Sequence, residues 1–242
     1  MTLRDVKHLV PKTQAALCLL WAKQEGAVSA SESVAAARAS AIAHLIAAEG
    51  HARQCAKLPS DRNATEHHCP EEEPLWYDFC SHALSALDSF CVAACTAALA
   101  TEPKQLILPL NLSAITPGST TALFERWSPE TPFGPRLRRV LQSAEYQALK
   151  AITATPSHRL TPARPGPFSE APACWDLNAW HERDGNQAGG EVSLRAVKRP
   201  FVLHRRCLAK LLDWLEATLE ALAVDLDGWA PGRIHALAQR LP

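Results

Sequence analysis

The stretch LWYDFCSHALSALDSFCVAACTAALA, running from Leu75 to Ala100, decides the fold. Trp76, Cys80, Ala83, Leu87, Phe90, Ala94 and Ala98 recur at steps of three and four residues, and Phe79, Cys91 and Cys95 flank them. Residues so spaced share one side of an α-helix, and a stripe this wide suits a helix near the centre of a bundle.

Upstream, Ser31 is a natural N-cap, and Val34, Ala37, Ala41, Leu45, Ala48, Ala52 and Cys55, widened by Ile42 and Ile46, carry a second stripe to about Leu58, before Pro59. A shorter helical piece precedes it, with Pro11 in a first turn and Leu17, Leu20 and Trp21 as its apolar side. Downstream, residues 101–134 read as irregular, and QLILPLNL (105–112) as a short extended segment that Pro109 keeps off a central strand. A third long helix is expected from Pro135 to just before Pro156. The last opens at Pro200 and carries a seam of Leu208, Leu211, Leu215, Leu219 and Leu222, with a short terminal helix from Pro231. Residues 59–74 and 156–200 are proline-rich connections. The expectation is an all-α fold: a helical bundle of four long helices plus shorter N- and C-terminal helices. It forms one domain over residues 1–242, with its core at roughly 30–225.

Composition agrees with this class. Of 242 residues, 47% are hydrophobic and 6% aromatic, so Leu, Ala and Val must build the core. Six Phe and two Tyr are too few for an all-β chain. Lys plus Arg balance Asp plus Glu at 25 each, so net charge points to no partner and local patches must be weighed instead. Eight cysteines lack a disulfide framework, and the apolar run Ala15–Ala22 is far short of the ~20 residues that span a membrane. The expected setting is the cytoplasm, with thiols reduced and no membrane partner.

No sequence signature names a reaction. The chain has no C-x-x-C pair, no G-x-S-x-G elbow, no glycine-rich phosphate loop and no E-x-x-H pair of the di-iron type. Cys91 and Cys95 share a helix face and read as small apolar residues. Cys55 with His67, His68 and Cys69, completed by Cys80 or His82, has the ligand types of a zinc site, although adjacent ligands suit a closed tetrahedron poorly. No cofactor is expected. Charge order is the anomaly. Lys198, Arg199, His204, Arg205 and Arg206 open the last helix and Asp213, Glu216, Glu220 and Asp225 follow, while Arg136, Arg138 and Arg139 open the third. A helix favours the reverse order, so a carboxylate-rich neighbour, a bound phosphate or plain solvation must compensate.

The segment Tyr77-Asp78-Phe79-Cys80-Ser81-His82-Ala83-Leu84-Ser85-Ala86-Leu87-Asp88-Ser89-Phe90 resembles the second core helix of the HEPN superfamily of helical bundles. The run into Thr155-Pro156-Ser157-His158-Arg159 resembles the family's His-containing turn. The family's signature, an Arg followed four to six residues later by His, matches Arg38…His44, Arg62…His67 or His68, and Arg199…His204. Arg38 and His44 lie mid-helix, about 240° apart, so they cannot easily meet. Arg62…His67 falls in a proline-bounded loop. Arg199…His204 sits at a helix start and has the better context. The resemblance implies metal-independent RNA cleavage, with Arg199, His204 and His158 catalytic and Arg159, Arg205 and Arg206 on phosphate. It implies a defence or toxin–antitoxin setting, with RNA, a protein partner or a second copy bound. Lys150 stands eight residues before His158, outside the family's spacing, which leaves a catalytically inactive relative open. The other reading is a helical interaction module without chemistry, dimerising through an Ala/Leu seam.

Overall fold

A computed structural model describes residues 9–21, 27–58, 72–101, 114–154 and 202–240. Among the described residues there are seven helices and no strand, and the class is all-α. They are α1 (Pro11–Trp21), α2 (Ala27–Lys57), α3 (Glu72–Thr101), α4 (Pro117–Trp127), α5 (Phe133–Gln142), α6 (Ala144–Ala154) and α7 (Val202–Arg240). The long ones are α2, α3 and α7, at 31, 30 and 39 residues.

The chain divides into two compact units, one of residues 1–46, 85–141 and 215–242, the other of 47–84 and 142–214. In the first, Leu45, Leu87, Phe90, Phe124, Phe133, Leu137, Leu215, Leu219 and Leu226 are all buried. In the second, Phe79, Cys80, Ala83, Leu149, Leu208 and Leu211 are buried. The apolar stripes of α2, α3 and α7 thus lie on the buried sides of those helices, except that Ile46, expected to widen the α2 stripe, is 48% exposed and Ile42 and Ala52 are only half-buried.

Four boundaries differ from expectation, each for a local reason. The second helix begins at Ala27, so Ser31 lies one turn inside it. Its hydroxyl, instead of capping, takes a hydrogen bond from Gln14 Nε2 at 2.9 Å and ties α1 to α2. Residues 117–127 are helical rather than irregular. Thr116 closes a capping box there: the Ser119 N–H donates to Thr116 Oγ1 (3.2 Å) and the Thr116 N–H to Ser119 Oγ (2.9 Å), with Pro117 in the first turn. The third long helix is two, α5 and α6. Ser143 breaks it, because its Oγ accepts the Tyr146 N–H at 3.2 Å and restarts the ladder as an N-cap.

The fourth difference is Pro231, which lies inside α7 instead of starting a new helix. A proline there forfeits one ladder bond and crowds the preceding turn. Glu130 braces both sides of it, accepting from Trp229 Nε1 at 3.4 Å and pairing with Arg233. The segment QLILPLNL, residues 59–71 and residues 156–200 lie outside the described residues, while residues 72–74, read as the end of the first connection, already belong to α3.

The start of α1 has an unusual anchor. Val10 is its N-cap residue, since its carbonyl accepts the Gln14 N–H at 3.1 Å. Val10 has φ 48, in the left-handed region, and is fully buried. A β-branched residue is strained there, and it has no oxygen with which to cap. Asp227 of α7 does the capping from 214 residues away: its carboxylate accepts the Thr13 N–H (2.8 Å), the Thr13 hydroxyl (2.7 Å) and the Lys12 N–H (3.2 Å). Asp227→Ala is expected to destabilise the protein by about 1–2 kcal/mol, the usual cost of losing an N-cap. Urea unfolding of the variant beside the parent measures it, and an unchanged midpoint would show that water replaces the carboxylate.

Candidate functional site

The residues assigned a catalytic or phosphate-binding part by resemblance divide into two groups. Arg199, His158 and Arg159 lie outside the described residues. His204, Arg205 and Arg206 fall in the first turns of α7, and no acidic residue stands in its first turn. Of the other Arg/His pairs, Arg38 and His44 both ride mid-helix on α2, and Arg62, His67 and His68 lie outside the described residues.

The basic start of α5 has a definite explanation. Arg136 forms a two-pronged pair with Asp225 of α7 through Nε and Nη2 (Nη2–Oδ1 3.3 Å), and the Asp225 side chain is only 7% exposed. Arg138 pairs with Glu125 of α4. Of the three compensations open in the sequence, the carboxylate neighbour holds for both arginines. Asp225 also shows why an acid stands in the later turns of α7: its partner comes from another helix.

The cysteines divide by burial. None of Cys18, Cys55, Cys80, Cys91 and Cys95 is in a disulfide, and all but the exposed Cys18 are buried. Burial pushes the Cys80 thiol far above its ordinary value. Cys91 rises through burial first and the neighbouring Cys95 second. Cys95 is pushed up to about 11 by burial, against a hydrogen bond with the Thr120 hydroxyl at 3.3 Å. Neutral thiols in an apolar setting are poor nucleophiles and poor ligands. The paired cysteines of α3 are therefore packing residues.

Of the ligand types raised for zinc, Cys55 is buried on α2, whereas His67, His68 and Cys69 lie outside the described residues. His82 stacks its ring on that of His51, with centroids 5.3 Å apart and planes 11° from parallel. His51 Nδ1 is buried without a hydrogen-bond partner among the described residues. Among those residues no three His, Cys, Asp or Glu side chains converge as metal ligands. The His51–His82 stack was not legible in sequence, because the two lie 31 positions apart and on different helices.

Two surface features complete the description, both in the first unit. An open aromatic crevice of about 250 Å³, counting the solvent at its mouth, is lined by Thr101, Phe124, Trp127, Ser128 and Trp229 among others. Phe124 meets Trp229 edge-on, with centroids 5.4 Å apart. Both tryptophan rings already carry a cation, Arg126 at 5.2 Å from Trp127 and Arg233 at 5.5 Å from Trp229.

The second feature is the outward face of α7. Ala217, Val224, Gly228 and Gly232 are exposed and Ala221 is half-buried, within a sector of about 80° on the helix. Val224 is 65% exposed, the highest value among the exposed large hydrophobic residues described. A Cβ added at Gly228 or Gly232 would meet nothing within 4 Å, so no packing among the described residues requires glycine at either position. The leucine seam of the same helix is unavailable for pairing with a partner: Leu208, Leu211, Leu215, Leu219 and Leu222 are all buried. A dimer contact through an Ala/Leu seam would have to use the Ala/Gly/Val side.

Comparison with protein-family models, curated proteins and solved structures finds no match to this chain. Among the described residues, one helical stretch, Pro74–Thr101, is long and apolar enough to cross a membrane, and 56% of its most apolar window is buried inside the chain. Buried core helices of water-soluble proteins have the same character.

The thiols give a direct test. Brief alkylation of native protein near neutral pH, read by mass spectrometry, is expected to modify Cys18 at least tenfold faster than Cys80, Cys91 or Cys95. Equal rates would contradict the burial described. The raised Cys95 value also fixes a sign. The native state holds that proton more tightly, so its contribution to stability is intact below pH 9.0 and is lost as pH rises toward about 11.

Proposed function

We propose that this chain is a helical interaction module without catalytic chemistry. It associates with a second copy or another protein through the outward face of α7. The carrying observation is that face: an exposed valine flanked by alanines and two glycines that the chain's own packing does not need. Small residues let two helix backbones approach closely, and Val224, exposed among them, supports a contact on this side of α7. The polar groups described nearby support a non-catalytic reading. Asp225, Asp227 and Glu130 are each engaged in holding helices together rather than directed at an opening. We read the architecture as a bundle of four long members, α2, α3, α7 and the α5–α6 pair, joined by long proline-rich connections. Its setting is the cytoplasm, in keeping with described cysteines that form no disulfide.

A second reading rests on a different observation. The first turns of α7 carry His204, Arg205 and Arg206 at the positive end of a helix with no acid in its first turn, an arrangement suited to an anion. On it, the chain is a HEPN-like regulator of a defence or toxin–antitoxin system. Arg159, Arg205 and Arg206 hold RNA phosphate, while Arg199, His204 and His158 cleave without metal. The histidines would move the protons of the 2′-hydroxyl and the leaving oxygen, and Arg199 would stabilise the phosphate's developing charge.

Sedimentation velocity of the parent and of Val224→Asp tests the first reading, since an exposed position tolerates the change in the folded chain. The parent's sedimentation coefficient is expected to rise with concentration, and that of the variant to stay at the monomer value with unchanged helicity by circular dichroism. A parent that stays monomeric throughout overturns pairing with a second copy. RNA cleavage in EDTA, by the parent and by the Arg199→Ala/His204→Ala double variant, tests the second. The first reading expects no cleavage by either. Cleavage by the parent that disappears in the double variant would replace the first reading with the second.

A further inference from the structure

We draw no further inference here: the strongest candidate beyond the α7 face, the aromatic crevice between Phe124, Trp127 and Trp229, carries nothing, because both tryptophans already hold an arginine of the same chain and nothing in the structure shows what covers its apolar mouth.

Discussion

A carboxylate almost removed from water must find a cation or hydrogen-bond donors, and this constraint organises the first unit. The Asp225 side chain is 7% exposed and sits on α7 among buried leucines and alanines. Left unpaired there, it would cost roughly 3 kcal/mol or more. Arg136 meets it with two nitrogens, which fixes both the distance of α5 from α7 and the turn of α5 about its own axis. Two residues on, Asp227 caps α1 in place of a residue that cannot cap itself. Glu130 adds a third carboxylate and braces α7 across Pro231. Its carboxyl is held below the ordinary range, first by a backbone hydrogen bond within Glu130 that works against burial, with Trp229 and Arg233 adding to the lowering. Three acids thus attach α1, the α4–α5 turn and α5 to one long helix.

The apolar packing follows from that attachment. With α5 fixed on α7, Phe133 at its first position is fully buried, 4.4 Å from Phe124 and 6.4 Å from Phe90 between ring centroids. Three of the chain's six phenylalanines therefore meet in one cluster, and Trp229 closes it from α7. Elsewhere the buried residues of α2 and α3 are mainly Ala and Cys, which bury little area each. A chain with 6% aromatics concentrates its large side chains where helices are pinned and lets small ones fill the closer contacts.

The legible part of the fold was the part carried by period. Val34 to Cys55, Trp76 to Ala98 and Leu208 to Leu222 each show a stripe long enough to outweigh every local ambiguity, and each is the buried side of its helix. What failed was decided by single residues. Ser31 looks like a cap, yet the helix already runs through it, and the hydroxyl serves Gln14 instead. Ser143 looks like an ordinary helical position until its side chain captures the Tyr146 N–H. Thr116 and Ser119 form a capping box without the Glu or Gln that marks one in sequence, and the short helix behind it has too few apolar residues to show a stripe. Pro231 misleads because the helix runs on through it, with Glu130, about a hundred residues away, bonded to Trp229 and Arg233 on either side. The charge order of α5 left a carboxylate neighbour, a bound phosphate and plain solvation all open, and only the fold shows Asp225 and Glu125 beside Arg136 and Arg138. Of the candidate site, sequence supplied residue types, spacings and the helix start. His204, Arg205 and Arg206 do fall in the first turns of α7.

Asp225, Asp227, Trp229 and Arg233 act as a set only if α7 is one helix from Val202 to Arg240, with its ladder continuing through Pro231. Amide hydrogen exchange at single-residue resolution tests this most directly. In a continuous helix the Gly232, Arg233 and Ile234 amides bond to carbonyls four residues earlier, and they should exchange far more slowly than unstructured amides. Fast exchange at Gly232 and Arg233, with protection resuming a turn later, would mean that a new helix starts at Pro231. The brace by Glu130 and the unbroken outward face of α7 would then both be contradicted.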